Sequence, residues 1–161
     1  AGLTLAYVGD ANNNMANSYL VACALAGMNV AVSAPSGFLP SDEVVVKAKQ
    51  IAEANGGSIL ITTDPAEAVS AADIVVTDTW VSMGMEAEAD ERKLRFKDFT
   101  VDEELMSKAS EDAIFLHCLP AYRGLEVSAE VIDGAQSRVW QEAENRLHAQ
   151  KALMAWLAEQ N

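Results

Sequence analysis

The sequence predicts an α/β fold, with a doubly wound, mostly parallel sheet and helices on both faces, in a single domain. Short apolar runs rich in β-branched residues alternate with longer helical patterns, which gives the order β-α-β-α-β-α-β-α-β and a closing helix. The strand-like runs are continuously apolar, as expected of parallel strands that are covered on both faces. A length of 161 residues suits one domain with its own core.

The first elements are a strand, a helix and a second strand. Residues 3–8 form a short buried run, and residues 15–29 form an apolar helical stretch that Gly27 can cap at its C-terminus. Residues 30–34 are again strand-like. Ser41 then marks the start of the next helix.

The middle of the chain repeats this alternation. The glycine-rich residues 55–57 end the second helix, and the β-branched residues 58–62 predict a third strand. Asp64 and Pro65 start a short helix, and residues 74–77 predict a fourth strand.

The last part of the chain begins with two helical pieces, "AEADERKLRF" and "DEELMSKA". Residues 114–117 predict a fifth strand, and residues 139–140 predict a short final one. A long helix is expected over residues 142–159. Its apolar residues near one face are Ala143, Leu147, Met154 and Leu157.

The charge of the chain argues against a nucleic-acid partner. There are 24 acidic residues against 11 Lys plus Arg, a formal net charge of -13, whereas binding a phosphate backbone requires clustered cations. No apolar run is long enough to cross a bilayer, so no membrane partner is expected. The chain starts at Ala1 and enters a strand almost at once, which fits either a processed terminus or a cut inside a longer protein.

The cysteines and histidines predict neither a disulfide nor a metal centre. Cys23 lies in an Ala-rich helical stretch and Cys118 at a strand end, which favours a reducing compartment and hence the cytoplasm. His117 and His148 are the only histidines and are far apart in sequence. No metal and no cofactor is expected.

Candidate ligand contacts follow the strands, because doubly wound sheets bind ligands beyond the carboxyl ends of their strands. After the first strand, "GDANNNMANS" lacks both GxGxxG and GK[ST], so its asparagines either cap a helix or contact a ligand. After the fourth strand, "TDTWVSMG" delivers Asp78, which can take an ammonium group or cap the next segment. Trp80 and Met83 suit packing or a lid that excludes water.

The stretch "FLHCLPAYRG" follows the fifth strand. Neighbouring strand residues point to opposite faces, so His117 and Cys118 are not expected to form a hydrogen-bonded nucleophile and base. Pro120 interrupts the strand and frees nearby carbonyls to accept from a ligand. In "EAENRLH", Arg146 gains nothing from the helix dipole, so its partner is either Glu142 or a ligand with an anionic or carbonyl group.

Together, "GDANNNMANS", "DTWVSMG", "HCLPAYRG" and "EAENRLHAQKAL" resemble the ornithine-binding domain of the ornithine carbamoyltransferases, in order and over essentially the whole chain. HCLP combined with DxWxSMG makes the resemblance specific, and SMG is the ornithine-type loop. The resemblance implies transfer of the carbamoyl group of carbamoyl phosphate to the δ-amine of L-ornithine, giving citrulline and phosphate without cofactor or metal.

The resemblance implies a substrate-binding role for four residues. Asn14 is similar to the asparagine that holds the α-carboxylate of ornithine. Asp78 and Ser82 resemble the pair that takes the α-ammonium group, and Met83 continues the loop that closes over the substrate.

The resemblance implies a second group of residues at the reacting carbon. Cys118 and Leu119 resemble the positions whose backbone carbonyls receive the carbamoyl amide and the δ-amine. Arg146 resembles the arginine that polarises the carbamoyl oxygen, and His117 a neighbour of that site. The implied catalytic set is Arg146, Cys118, Asp78 and His117, with positioning and oxyanion stabilisation as the main effects.

The family binds carbamoyl phosphate with a Ser-Thr-Arg-Thr-Arg loop and a His-Pro-x-Gln segment in a preceding domain, and neither motif occurs here. Residues 1–161 are therefore expected to be the ornithine-binding domain alone, with the carbamoyl-phosphate domain as missing partner. The resemblance implies a parent that is a homotrimer or a multiple of trimers. The alternatives are an isolated, inactive amino-acid-binding domain, a carbamoyltransferase for putrescine or lysine, and a generic nucleotide-binding domain, which the absent phosphate motif disfavours.

Overall fold

The structure, a computed structural model, describes residues 1–81 and 84–160. Within these residues, five parallel strands form one sheet in the order β3-β2-β1-β4-β5. The strands are β1 (Thr4–Val8), β2 (Asn29–Ser33), β3 (Ile59–Thr62), β4 (Ile74–Thr77) and β5 (Ile114–His117). The helices are α1 (Asn14–Leu25), α2 (Asp42–Asn55), α3 (Pro65–Val69), α4 (Ala89–Phe96), α5 (Glu103–Met106), α6 (Ala129–Ile132) and α7 (Val139–Glu159), with short 3-10 helices at Glu86–Glu88 and Lys97–Phe99.

The strand order confirms the predicted doubly wound sheet. The chain builds outward from β1 through β2 to β3, then returns to the other side of β1 and continues through β4 to β5. The order of strands therefore reverses between β1 and β4, whose pairing sets Tyr7 beside Val76. A crevice is expected beyond the carboxyl ends of these two strands.

Each face of the sheet has its own core, because successive side chains of a strand point to opposite faces. Leu5 and Tyr7 of β1 belong to one cluster, which includes Ala16 and Leu20 of α1. Ala6 and Val8 belong to the other cluster, whose further buried members include Phe96, Phe115, Val131 and Val139. The continuous apolar pattern of the strands is thus explained by burial on both sides.

The signals that predicted α2 act as expected. The Ser41 hydroxyl accepts a hydrogen bond from the Val44 amide and caps the N-terminus. Gly56 has a φ of 77°, the left-handed conformation that ends helices and that glycine adopts without a side-chain clash. Asp64 likewise caps α3 by accepting from the Ala66 amide.

Two features differ from the sequence prediction. Residues 139–140 were expected as a short strand, but Val139 begins α7. The strand-like pairing lies just before it, where Arg138 donates to the Phe115 carbonyl, and the apolar signal of Val139 reflects its burial in the core. The short helix α6 was not predicted, although Ser128 caps it by accepting from the Val131 amide.

None of the helices in the described part of the chain combines the length and the apolar character needed to span a membrane.

Candidate active site

The candidate site lies where β1, β4 and β5 end. Gly9 follows β1 with a φ of 139°, and a side chain there would place its Cβ 3.3 Å from Oγ1 of Thr77, the last residue of β4. The chain leaving β1 can therefore cross close to β4 only with glycine at this position. This crossing sets the residues after β1 beside Asp78, which follows β4.

The Asp78 carboxylate is held from three directions. Its Oδ1 accepts from the Thr79 amide at 2.7 Å and from the Cys118 thiol at 3.2 Å. Its Oδ2 accepts from Asn13 Nδ2 at 3.4 Å. The side chain is buried, but Oδ2 accepts only one hydrogen bond and has a second lone pair, so Asp78 retains capacity to accept from a bound ammonium group.

Two of the asparagines after β1, Asn13 and Asn14, have different positions. Asn13, not Asn14, caps α1 by accepting from the Ala16 amide at 2.9 Å, and its amide nitrogen also donates to the Tyr7 hydroxyl. Asn14 is the first residue of α1 and lines the cavity described below. The two functions that the sequence left open, capping and ligand contact, are thus available to different residues.

The segment after β5 is a bend supported by buried side chains. The Leu119–Pro120 peptide bond is cis. The Leu119 amide donates to His117 Nδ1 at 2.9 Å, and His117 Nε2 lies 3.3 Å from Glu126 Oε1. Because Nδ1 accepts, the neutral His117 ring carries its proton on Nε2, facing Glu126. Glu126 Oε1 also accepts from the Tyr122 amide at 2.6 Å, so this carboxylate supports both ends of the bend.

His117 and Cys118 therefore have different partners and do not form a nucleophile and base pair. The Cys118 thiol donates a hydrogen bond to the Asp78 carboxylate. Burial raises the pKa of the Cys118 thiol, and the charge and hydrogen bond of Asp78 raise it further, to about 12. The thiol is consequently protonated near neutral pH and acts as a hydrogen-bond donor.

Arg146 lies on α7 and has no ion-pair or hydrogen-bond partner among the described residues. No ion pair or hydrogen bond to its guanidinium is formed by the described residues, and Glu142, its expected i−4 partner, has other contacts. The Glu142 carboxylate accepts from the Tyr19 hydroxyl at 3.2 Å and from the His117 amide at 2.9 Å. The sequence left either Glu142 or a ligand as the partner of Arg146, and the pairing with Glu142 is therefore wrong.

A cavity of about 630 Å³ lies between the residues that follow β1, β4 and β5 and the start of α7. This is within the range of roughly 300–1,000 Å³ that small-molecule sites occupy. The predicted site residues that line it are Asn14, Asp78, Cys118, Leu119 and Arg146. His117 is fully buried and supports the bend instead, while Ser82 and Met83 lie outside the described residues.

A second buried network, which the sequence did not predict, joins the loops around the cavity. Arg92 of α4 is ion-paired with Asp10, donates to the Trp80 carbonyl at 2.5 Å and lies over the ring of Phe38. These partners follow β1, β4 and β2, respectively. An arginine inside a charged helical stretch gives no sign in the sequence that it is buried, so only the fold identifies this role.

One group of side chains in the described residues has donor types that suit a metal. Asp78, His117 and Cys118 each offer one ligand atom within 4.8 Å of the others. Both ring nitrogens of His117 are already engaged, by the Leu119 amide and by Glu126. A metal bound to His117 would therefore have to displace one of these contacts.

Comparison with known proteins gives a consistent family. The profile described as aspartate/ornithine carbamoyltransferase, Asp/Orn binding domain, matches residues 1–157. An ornithine carbamoyltransferase of Bifidobacterium longum subsp. infantis is 64% identical over 154 residues, which cover 96% of this chain and 48% of that protein. That of Renibacterium salmoninarum is 58% identical over 160 residues, covering 99% of this chain and 51% of that protein.

Solved structures agree in fold. The anabolic ornithine carbamoyltransferase of Campylobacter jejuni superposes with a TM-score of 0.91 at 41% identity, covering 99% of this chain and 52% of that one. The ornithine carbamoyltransferase of Pyrococcus furiosus gives a TM-score of 0.90 at 48% identity, covering 96% and 49%. The chain thus spans about half the length of the relatives that it matches.

Proposed function

The chain belongs to the aspartate/ornithine carbamoyltransferase family, and from this membership we propose that it is the ornithine-binding half of an ornithine carbamoyltransferase. Such an enzyme transfers the carbamoyl group of carbamoyl phosphate to the δ-amine of L-ornithine and releases citrulline and phosphate. The observation that carries the proposal is the single cavity that gathers Asp78, the Cys118–Leu119 bend and Arg146 at the reversal of strand order.

The α-ammonium and α-carboxylate groups of ornithine are bound by two different side chains. Asp78 takes the α-ammonium group, which suits a buried carboxylate whose Oδ2 has only the long bond from Asn13. Asn14, at the cavity wall, holds the α-carboxylate through its amide. The resemblance assigns the ammonium group to Ser82 as well and a closing loop to Met83, two residues that lie outside the described part of the chain.

The reacting end lies between the bend and Arg146. The neutral δ-amine attacks the carbonyl carbon of carbamoyl phosphate, a new C–N bond forms and the C–O bond to phosphate breaks. The amine loses one proton to the departing phosphate, which leaves as hydrogen phosphate. Backbone carbonyls of Cys118 and Leu119 orient the amide and amine N–H groups, while Arg146 stabilises the negative charge that develops on the carbamoyl oxygen. The protonated Cys118 thiol keeps Asp78 in place, and His117 keeps the bend in shape.

The remaining parts of the proposal concern the whole enzyme. A carbamoyl-phosphate domain is the partner that completes the site, in keeping with a chain that spans about half of its relatives. The parent enzyme is a homotrimer or a multiple of trimers and is cytoplasmic, which the two free cysteines of this domain support.

Calorimetric titration of the chain with L-ornithine tests the amino-acid half of the site. We expect saturable binding that the Asp78→Ala variant weakens by about 10- to 100-fold, because a charge-assisted contact contributes about 1.5–3 kcal/mol. Asp78→Asn, which keeps the acceptor oxygen for Cys118, is the matched control for loss of the charge alone. Binding that is unaffected by both substitutions would contradict the proposed role of Asp78.

The same titration separates the alternatives. Tighter binding of putrescine or lysine than of ornithine would favour a carbamoyltransferase for another amine. A folded chain that binds no ornithine would be an incomplete half-site, and the test then moves to an enzyme that carries both halves. There, Asp78→Ala should lower kcat/KM for ornithine by the same factor, and an unchanged kcat/KM would refute the assignment.

A further inference from the structure

The position of Arg146 depends on a short attachment of α7 to the rest of the domain. Val139 is buried in the core, and Glu142 is half-buried. From residue 143 to residue 160, every described residue is exposed. Arg146 lies one turn beyond Glu142 and has no ion pair or hydrogen bond to any described residue, so the first turns of α7 determine where its guanidinium stands.

Glu142 is the side chain that holds these first turns. One carboxylate oxygen accepts from the hydroxyl of Tyr19 in α1, and the other accepts from the amide of His117 at the end of β5. Burial raises the pKa of Tyr19, and the Glu142 charge raises it further, so the phenol remains a donor at physiological pH. A single carboxylate thus joins α1, β5 and α7 beside the cavity.

The contacts of Glu142 favour positioning over a direct chemical role. Each carboxylate oxygen accepts a hydrogen bond from another element, α1 or β5, and the group forms no ion pair with Arg146 among the described residues. The guanidinium of Arg146 therefore keeps its five N–H donors for a ligand. The His117 amide that Glu142 holds also directly precedes Cys118, so the same carboxylate fixes both walls of the reacting end.

We propose that Glu142 is a positioning residue that sets the distance between Arg146 and the bend at Cys118–Leu119. The inference rests on the proposed function, in which Arg146 stabilises the carbamoyl oxygen. Loss of Glu142 leaves the amino-acid contacts of Asp78 and Asn14 in place but lets the turn of α7 that carries Arg146 move. It should lower kcat more than it raises the KM for ornithine, since misplaced transition-state groups cost rate.

A double-mutant cycle in an enzyme that carries this domain with its carbamoyl-phosphate half tests the proposal. The variants are Glu142→Ala, Arg146→Ala and the double variant, with radiolabelled carbamoyl phosphate so that weak activity remains measurable. Glu142→Ala alone should lower kcat by about 10- to 100-fold. Added to Arg146→Ala, it should change kcat by less than about threefold, because a residue that acts through Arg146 has no further effect once Arg146 is gone.

Two controls separate positioning from general destabilisation. Glu144→Ala removes a carboxylate two residues away on α7, 71% exposed and in contact only with His148 among the described residues, and should leave kcat unchanged. Tyr19→Phe removes one of the two bonds to Glu142 and should give a smaller loss than Glu142→Ala. If Glu142→Ala fails to fold, Glu142→Gln takes its place, since it keeps one acceptor oxygen.

The outcomes are distinguishable. Equal losses from Glu142→Ala in the wild-type and the Arg146→Ala backgrounds would overturn the positioning role and leave the proposed function intact. An Arg146→Ala variant with full activity would instead refute the proposed function at Arg146. An effect of Glu144→Ala as large as that of Glu142→Ala would also overturn the proposal, because the loss would then follow from charge near the start of α7.

Discussion

At the scale of single residues, the site is built from side chains that hold one another in place. The Cys118 thiol donates to Asp78, which also accepts from Asn13 and the Thr79 amide. Burial and the neighbouring carboxylate raise the pKa of Cys118, so the thiol stays protonated. The pair therefore offers carboxylate oxygens for an amine and no thiolate nucleophile.

The reactivity of Cys118 should follow the charge of Asp78. In a Cys23→Ala background, Asp78→Asn should lower the pKa of Cys118 and speed its alkylation by iodoacetamide at pH 8. Each unit by which the pKa falls raises the thiolate fraction about tenfold. It also lowers the nucleophilicity of the thiolate by a smaller factor, so the alkylation rate rises about threefold per unit. Mass spectrometry of the Cys118 peptide against time measures the rate.

The control for this experiment is Asp90→Asn, which removes an exposed carboxylate of α4 that contacts only Lys93 among the described residues. It should leave the alkylation rate of Cys118 unchanged. A rate in Asp78→Asn that is equal to or below the wild-type rate would show that the carboxylate does not suppress the thiolate.

At the scale of secondary structure, local signals were sufficient where an element is determined by its own residues. The five strands follow from apolar runs, and α2 follows from Ser41 and Gly56. The apolar pattern gave a wrong prediction at Val139, which is apolar because it is buried in the core and not because it pairs in a strand. Periodicity cannot tell these causes apart for a run of two residues.

The site residues also divide into those that a local motif predicts and those that depend on the fold. Asp78, Cys118 and Arg146 were predicted because each stands in a recognisable motif at a strand end or helix start. The roles of Glu126 and Arg92 were not, because each depends on partners that only the folded sheet brings near, His117 in one case and Asp10 in the other. Buried polar groups of this kind leave no periodic pattern in a sequence.

Helix α7 should be the least protected of the long helices. An isolated helix is marginally stable in water, and α7 beyond Glu142 has only exposed residues, whereas α2 is capped at both ends and buries Ala48 and Ala52. Amide hydrogen exchange followed by mass spectrometry, at low protein concentration, should show faster exchange over residues 150–160 than over α2. Equal protection of the two helices would contradict the weak attachment of α7.

At the scale of the whole molecule, α7 exposes large apolar side chains along most of its length. These side chains are Trp140, Leu147, Leu153, Met154, Trp156 and Leu157, with exposed fractions of 49% to 66%. Exposed apolar surface of this extent promotes association. The net charge of -13 opposes it through repulsion between like-charged molecules.

Self-association of the chain should therefore increase with both concentration and salt. Salt shortens the screening length from about 10 Å at 0.1 M to about 3 Å at 1 M, which weakens the repulsion but not the apolar attraction. Sedimentation velocity should show oligomers that the neutral variant Leu153→Gln, Trp156→Gln, Leu157→Gln abolishes at unchanged net charge. Leu94→Gln, which removes an exposed leucine of α4, should leave the oligomers intact. A chain that stays monomeric at high concentration and high salt would show that the exposed apolar side chains of α7 do not drive association.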